Sequence, residues 1–146
     1  ITAKGELNRK ALGNIIFSDE ALRARLEDIL HPRIRKLYLE RLERVSSQIL
    51  PPPMIVYSVP LLFESRYDYP ELDSVVVVSA ARETCLQRVM ARDGCGRSLA
   101  ERKYASQVPI EEKERRATFV IKNDSSLAAL RERVNEVFFE LLRRKP

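Results

Sequence analysis

Hydrophobic residues recur with a helical period over the first third of the chain. Residues 8–17 form one short pattern of this kind, and residues 19–30 form a clearer one, with Leu22, Leu26, Ile29 and Leu30 on one stripe. Because proline suits the first turn of a helix, Pro32 predicts the start of a further helix. That helix is expected to turn five side chains inward: Ile34, Leu37, Leu42, Val45 and Ile49. Three prolines at 51–53 then end helical structure.

The hydrophobic period changes after these prolines. Residues 54–59 form a short apolar run rich in β-branched residues, which is typical of a strand buried on both faces. Residues 75–78 predict a second strand, and residues 118–121 a third, shorter one. Helical patterns at 81–92, at 98–107 and from about 125 onward separate or follow these runs. Strands that alternate with helices in this way predict an α/β fold with a parallel sheet.

Two details of the later helices are predicted as well. Ser98 and Glu101 have the spacing of a capping box, which predicts a helix start at that point. The last helix is expected to bury a stripe of apolar residues: Leu127, Leu130, Val134, Val137, Phe138 and Leu141.

Length and composition restrict the class of protein. The 146 residues, 45% hydrophobic and 32% charged, fit a single globular domain with a core of its own. No apolar run approaches the roughly 20 residues that span a bilayer, and the first residues resemble no secretory signal. Two cysteines and one histidine are too few for a disulfide framework or a Cys/His zinc site. We expect reduced thiols and a cytoplasmic location.

The net charge of +5 lies entirely in the second half of the chain. Residues 1–80 hold 11 Lys or Arg and 11 Asp or Glu, so residues 81–146 hold the remaining 15 and 10. This excess indicates an anionic ligand, either phosphates or nucleic acid. A nucleic-acid-binding module is the less favoured alternative, because only Tyr104 and Phe119 lie near the basic region before the last helix to stack on bases.

Four stretches of the sequence resemble the motifs of dephospho-coenzyme A kinases. The run GELNRKAL at 5–12, followed by Phe17, is similar to the opening of that family's acceptor-binding helices. The run LHPRI at 30–34 resembles its histidine-proline turn, and VPLLFE at 59–64 resembles its most recognisable motif. Residues 86–94, 106–107, 112–113 and 120–123 follow the order of its lid and final strand. The resemblance covers almost the whole chain in one register.

This resemblance implies a P-loop kinase fold: a three-layer parallel α/β sheet with helical acceptor-binding and lid regions. Residues 1–53 then correspond to the helical acceptor-binding region, 54–80 to core strands, 81–117 to lid-like helices, and 118–146 to the last core strand and C-terminal helix. The implied activity is ATP-dependent phosphorylation of the ribose 3′-hydroxyl of dephospho-CoA, with ATP and Mg²⁺ as cofactors and a small-molecule partner rather than nucleic acid or membrane. Another nucleoside or nucleotide kinase of the same fold is the nearest alternative.

The resemblance also implies roles for cationic and polar residues near the phosphates of ATP. Arg88 corresponds to a lid arginine that stabilises the transferring phosphoryl group, and Arg92 and Lys103 to further lid cations. Arg88 and Arg92 lie four residues apart and therefore share one helical face, although an ordinary solvated face has the same spacing. Asn123 corresponds to a loop near the adenine of ATP, or else it caps the final helix.

The acceptor nucleotide is assigned to the motifs of the first 64 residues. The residues that the resemblance places there are Asn8, Arg9, His31, Pro60, Leu61, Leu62 and Glu64. Asn8, Arg9 and the neighbouring Lys10 are read equally well as an ordinary helix surface, and His31 as a structural histidine at a helix start. Glu64 follows a predicted strand, where open α/β sheets bind ligands, and is expected to face substrate or a water on magnesium unless it is a plain surface glutamate.

The phosphate-binding loop of such kinases is absent from these residues. Its pattern G-x-x-x-x-G-K-[ST] needs two glycines five positions apart, and Gly5, Gly13, Gly94 and Gly96 include no such pair. In the resembled family the loop and a catalytic aspartate precede the segment that Gly5 begins, and the loop's strand lies between the strands predicted at 54–59 and 74–79. We therefore expect that the first strands are missing and that these residues are inactive alone. Four departures, Ser58, Lys103, Thr118 and Lys122, affect the substrate details.

Overall fold

A computed structural model describes residues 5–65 and 68–144 of the chain. Six side chains of the first two helices lie outside that description: Arg9, Lys10, Asn14, Phe17, Ser18 and Glu20. The chain divides into two units, Ile1–Ile55 and Val56–Pro146, each of which is described by itself.

The first unit contains two packed helices, α1 (Arg9–Ser18) and α2 (Glu20–Ser46). Asn8 caps α1, because its Oδ1 accepts a hydrogen bond of 3.0 Å from the amide of Ala11. Asp19 ends α1 and caps α2 in the same way, accepting from the amide of Leu22 at 3.0 Å. Two adjacent caps therefore fix the corner between the helices, at the boundary that the sequence pattern predicts.

Helix α2 is continuous through Pro32, so the predicted helix boundary at this residue is wrong. A proline inside a helix removes one backbone hydrogen bond and strains the preceding turn, and the 27 residues of α2 span that defect. The predicted inward stripe is also largely wrong, because Ile34 and Leu37 are each at least half exposed and Ile49 is fully exposed. In the stripe before it, Ile29 is 54% exposed. Only Leu26, Leu42 and Val45 of these stripes are half-buried.

The second unit is built on two parallel strands, β1 (Val76–Ser79) and β2 (Phe119–Lys122). Val77 pairs with Val120 and Ser79 with Lys122, so both strands end together at one edge of the sheet. Among the described residues, 54–59 form no ladder, and the strand predicted there is not observed. A strand needs a hydrogen-bonded neighbour as well as a suitable sequence, and the described chain supplies none for this segment.

Side chains alternate along both strands between the two faces of the sheet. Because register partners share a face, Val77 and Ser79 lie on one face, whereas Ile121, the partner of Val78, lies on the other. Each strand is therefore buried on one face only, and Val76 and Val78 are 38% and 57% exposed. The structure thus confirms the predicted α/β class and parallel pairing. It does not confirm burial of the strands on both faces.

Four helices connect and cover these strands: α3 (Arg82–Asp93), α4 (Arg97–Ala105), α5 (Ile110–Arg116) and α6 (Leu127–Arg143). The first three form the crossover from β1 to β2; α3 packs on α4, α5 on β1, and α6 on β2. Leu86 of α3 and Ala100 of α4 are completely buried. No helix of the described ranges is both long and apolar enough to cross a membrane.

The helix boundaries correct two local predictions. Helix α4 begins at Arg97 after Gly96, with no side-chain cap, so the capping box predicted at Ser98 and Glu101 is wrong. The carboxylate of Glu101 instead accepts hydrogen bonds from Arg82 and Arg97. In α6, Leu127 is 64% exposed, and Val134 and Phe138 are also exposed. The other three residues of the predicted stripe are only half-buried.

Candidate functional site

The carboxyl edge of the sheet is fixed by hydrogen bonds between the segments that leave β1 and β2. The amide of Asn123 donates to the carbonyl of Ser79 at 2.7 Å, and Asp124 Oδ1 accepts from the amide of Ala81 at 2.6 Å. Ala81 precedes the first residue of α3, so Asp124 holds the start of that helix beside the end of β2. Open α/β sheets bind ligands at this kind of edge.

Asn123 lies half-buried at this edge, directly after β2. The alternative that it caps the final helix is wrong, because Ser126 caps α6 by accepting from the amide of Ala129 at 3.2 Å. The structure therefore leaves the side chain of Asn123 without that competing role. Its predicted place near adenine stays a prediction.

Two of the predicted phosphate-binding arginines lie on α3, in the turns that follow its start at this edge. Arg88 and Arg92 are both exposed and are separated by about one helical turn, or roughly 6 Å along the axis. Arg88 forms no ion pair with any other residue in the described ranges. The guanidinium of Arg88 can therefore bind an anionic ligand without first breaking an ion pair within the described protein.

Arg92 and Lys103 are instead bound to one carboxylate, that of Asp93. Arg92 donates through Nε to Oδ1 at 2.7 Å and through Nη2 to Oδ2 at 3.1 Å, while Lys103 Nζ donates to Oδ2 at 2.6 Å. These hydrogen bonds, from Arg92 first and then Lys103, hold the pKa of Asp93 far below its usual range. Arg92 and Lys103 around the Asp93 carboxylate leave one positive charge in excess, and Arg88, about one turn earlier on α3, adds a second.

A second set of ion pairs joins α3 to α4. Arg97 binds both oxygens of Glu83, at 2.9 and 2.8 Å, and also donates to Glu101 at 3.2 Å. The bidentate hydrogen bond from Arg97 lowers the pKa of Glu83. Arg82 reaches the same Glu101 oxygen at 3.5 Å. These contacts hold α3 and α4 together as one helical hairpin, so the cations on the two helices keep fixed positions relative to each other.

Sequence reasoning did not identify Asp93, Glu83 or Arg97 as part of this region. The four-residue spacing of Arg97 and Glu101 on one helix is a signal that could have identified that pair. Asp93 and Lys103 come from different helices, and only the α3–α4 packing brings them together.

Glu64 ends the turn formed by residues 60–64, and its carboxylate is bound within the protein. Oε1 accepts from the amide of Val108 at 3.0 Å and from Lys113 Nζ at 2.7 Å. Partial burial raises the pKa of Glu64, but the hydrogen bonds from Lys113 and Val108 and the positive charge of Lys113 outweigh it, so the pKa is lowered. The second oxygen, Oε2, is buried and has no partner among the described residues.

The other residues of the same turn are more accessible. Pro60 is exposed, Leu61 is 50% exposed, and Leu62 is half-buried. Their predicted contact with the acceptor nucleotide stays a prediction.

The remaining predicted acceptor residues belong to the first unit. Asn8 uses its side-chain oxygen to cap α1, and the side chain of Arg9 lies outside the described part of the chain. His31 is half-buried in the middle of α2 rather than at a helix start, since α2 continues through Pro32.

Within the described ranges, no three side chains among His, Cys, Asp and Glu come together as a metal ion would require. Cys85 and Cys95 are both unpaired thiols and half-buried.

Comparison of the sequence with known proteins identifies the family. The family model for dephospho-CoA kinase matches residues 1–129. A dephospho-CoA kinase of Geobacter sulfurreducens is 44% identical over 134 residues, which cover 92% of this chain and 66% of that protein. A dephospho-CoA kinase of Thermus thermophilus is 36% identical over 137 residues, covering 94% and 64%. The chain thus spans slightly less than two thirds of the length of these relatives.

Solved structures with the same fold lead to the same family. A Thermus thermophilus protein superposes with a TM-score of 0.75 at 37% identity, covering 94% of this chain and 69% of that one. The dephospho-CoA kinase of Campylobacter jejuni superposes with a TM-score of 0.64 at 30% identity, covering 98% and 69%. The predicted P-loop kinase fold is confirmed by these neighbours. The chain belongs to the dephospho-CoA kinase family.

Proposed function

We propose that the protein transfers the γ-phosphoryl group of ATP to the ribose 3′-hydroxyl of dephospho-CoA, the last step of coenzyme A biosynthesis. The observation that carries this proposal is the family match over residues 1–129. In the reaction the 3′-oxygen forms a bond to the γ-phosphorus, the bond to the bridging oxygen of ADP breaks, and the hydroxyl proton is released. The cytoplasmic location expected from the thiols stays a prediction.

Phosphoryl transfer depends on positioning and on positive charge around the transferring group. The arrangement on α3 supports that role for Arg88, which carries its charge free of any ion pair with the described residues. Arg92 and Lys103 supply further positive charge, held in one place by Asp93. We assign Arg88 to the transferring phosphoryl group and the other two cations to the phosphates of ATP.

Dephospho-CoA is assigned to residues 60–62 of the turn in the second unit. The exposed surfaces of Pro60 and Leu61 are suited to an apolar contact with the acceptor nucleotide. For Asn8, Arg9 and His31 of the first unit, the acceptor-binding role stays a proposal that rests on the sequence resemblance. Mg²⁺ is implied by the family, but the described residues form no group of three potential ligands, and we derive no step through it.

Substrate identity is tested with the full-length product of the gene, because the phosphate-binding loop is not among these 146 residues. ADP release is followed with dephospho-CoA, nucleosides and nucleoside monophosphates as separate acceptors, and the product is identified by mass. We expect turnover with dephospho-CoA and a product heavier by one phosphoryl group. Turnover with a nucleoside monophosphate but not with dephospho-CoA would assign the protein a different kinase activity.

The role of Arg88 is tested by Arg88→Ala. An arginine that stabilises a transferring phosphoryl group contributes about 10³–10⁵ to kcat, so we expect kcat to fall by about 10³ with little change in KM for dephospho-CoA. The matched control is Arg133→Ala on the exposed surface of α6, which should leave kcat unchanged. Equal effects of the two substitutions would contradict the role of Arg88.

A further inference from the structure

Glu64 connects the turn at 60–64 to a segment more than 40 residues further along the chain. Its partner Val108 lies between the end of α4 at Ala105 and the start of α5 at Ile110. We call residues 106–109 the α4–α5 joint. The hydrogen bond that the Val108 amide of this joint donates to Glu64 ties the turn directly to the point at which the α3–α4 hairpin meets the rest of the second unit.

Lys113 reinforces the same connection from the other side. Its Nζ contacts Glu64 Oε1 at 2.7 Å and donates to Gln107 Oε1, also in the joint, at 3.2 Å. The side chains of Glu64 and Lys113 are only 19% and 11% exposed. All other ion pairs between described residues include at least one partner that is 39% exposed or more. This pair is therefore the most shielded from solvent among them.

The turn contacts α5 at one more position. The guanidinium of Arg116 lies 4.8 Å from the centre of the Phe63 ring, a cation–π contact beside the ion pair. Two consecutive turn residues, Phe63 and Glu64, thus contact α5. The turn, the joint and α5 are held as one element.

The energetics of this pair favour a role in geometry over a role in stability. Largely buried ion pairs gain little net stability over apolar side chains of similar size, because both charges must leave water. The buried Oε2 of Glu64, which has no partner among the described residues, adds to that cost. The carboxylate does provide two hydrogen bonds of defined direction, and these fix the turn relative to the joint.

We propose that Glu64 and Lys113 are positioning residues, which set the turn at 60–62 relative to the α3–α4 hairpin that carries Arg88. This inference rests on the proposed function, in which the turn contacts dephospho-CoA and the hairpin contacts ATP. Glu64 acts through Val108 and Lys113, and not through the substrate or a metal-bound water. A displacement of about 1 Å between reacting groups can lower a rate about 10²-fold, so loss of the pair should reduce kcat.

The experiment is a double-mutant cycle in the full-length protein with Glu64→Gln, Lys113→Met and both together. Glutamine keeps the shape of Glu64 and an oxygen for the Val108 amide, so this change removes mainly the charge. We expect each single change to lower kcat by about 10-fold to 100-fold, with KM for dephospho-CoA within about 3-fold. The double variant should be no slower than the slower single variant, because both changes break one contact. Glu111→Gln, on the exposed first turn of α5, is the matched control and should have no effect.

Three results would overturn the proposal. The first is a rise in KM for dephospho-CoA for Glu64→Gln that Lys113→Met does not reproduce, since this indicates direct substrate contact. The second is a double variant whose loss of kcat equals the product of the single losses. The third is a lowered melting temperature with unchanged kcat, which indicates a purely structural pair.

Amide hydrogen exchange separates failure of this inference from failure of the proposed function. In Glu64→Ala, which removes the acceptor of the Val108 amide, peptides covering 106–109 should exchange at least about 10-fold faster than in the unmodified protein, whether or not the protein is active. Absence of turnover with dephospho-CoA in the unmodified protein would refute the proposed function. Unchanged exchange at the joint would refute the connection itself.

Discussion

The helix that carries Arg88 and Arg92 is anchored by a single completely buried side chain, that of Leu86. Its exposed fraction is 0%, and α4, which packs against α3, contributes Ala100, the other side chain buried to this degree among the described residues. Replacing Leu86 with alanine removes three carbons, which corresponds to about 2.4 kcal/mol of transfer free energy at about 0.8 kcal/mol per methylene. Incomplete collapse of the resulting cavity adds to this, and buried Leu→Ala changes cost about 2–5 kcal/mol in total. We expect Leu86→Ala to lower the free energy of unfolding by about 3 kcal/mol.

Equilibrium unfolding in urea, followed by circular dichroism, measures this loss. With a denaturant slope of about 2 kcal/mol per molar, the unfolding midpoint should fall by roughly 1.5 M. Leu127→Ala is the matched control, since Leu127 is also helical but 64% exposed. That change should stay within about 0.5 kcal/mol of the unmodified protein. A loss below about 1 kcal/mol for Leu86→Ala, or equal losses for both variants, would refute the idea that α3 is anchored at this residue.

Three further changes have effects that follow from local contacts. Because the pKa of Glu64 is lowered, the stabilisation from its pair with Lys113 is fully present above the unfolded pKa of about 4.5 and is lost as pH falls through the folded pKa. The difference in melting temperature between Glu64→Gln and the unmodified protein should therefore be largest near pH 7 and should disappear in acid. Ser126→Ala removes the cap of α6 and should cost about 1 kcal/mol in urea unfolding, whereas Ser125→Ala should cost less than half of that. Gly94→Ala should cost about 1 kcal/mol in the same assay, because Gly94 ends α3 with a φ of +60°. The space around it is open, so only backbone strain opposes the new methyl group. A neutral result would contradict the left-handed conformation.

The amino-acid sequence predicted most of the helices because their signals are local. Helix α1 after its cap Asn8 follows from side-chain type and spacing within a few residues, and so does α3 up to Gly94. The wrongly predicted helix boundaries also have local causes, because the same residue can be compatible with more than one position in a helix. Pro32 is compatible with a helix start and with the interior of a long helix, and Ser98 lies two residues after the cap position of α4, which is Gly96.

The strands depended more on the rest of the molecule. Residues 76–79 and 119–122 form strands because each finds the other as a parallel partner, whereas the equally apolar residues 54–59 find no partner among the described residues. Apolar β-branched sequence is therefore necessary for these strands but does not select which runs pair.

The amino-acid sequence by itself determines the family and identifies the candidate residues of the functional site. The motif that ends in Glu64 and the arginines at 88 and 92 are recognised from order and spacing, which need no coordinates. Only tertiary structure decides what these side chains contact, because their partners lie on different elements. Packing of α4 on α3 binds Lys103 to Asp93, the residue next to Arg92, while leaving Arg88 unpaired among the described residues. Folding of the joint onto the turn brings Glu64 into contact with Lys113. Residues 49 positions apart leave no mark on each other's local pattern, and for this reason the contact of Glu64 with Lys113 is visible only in the folded chain.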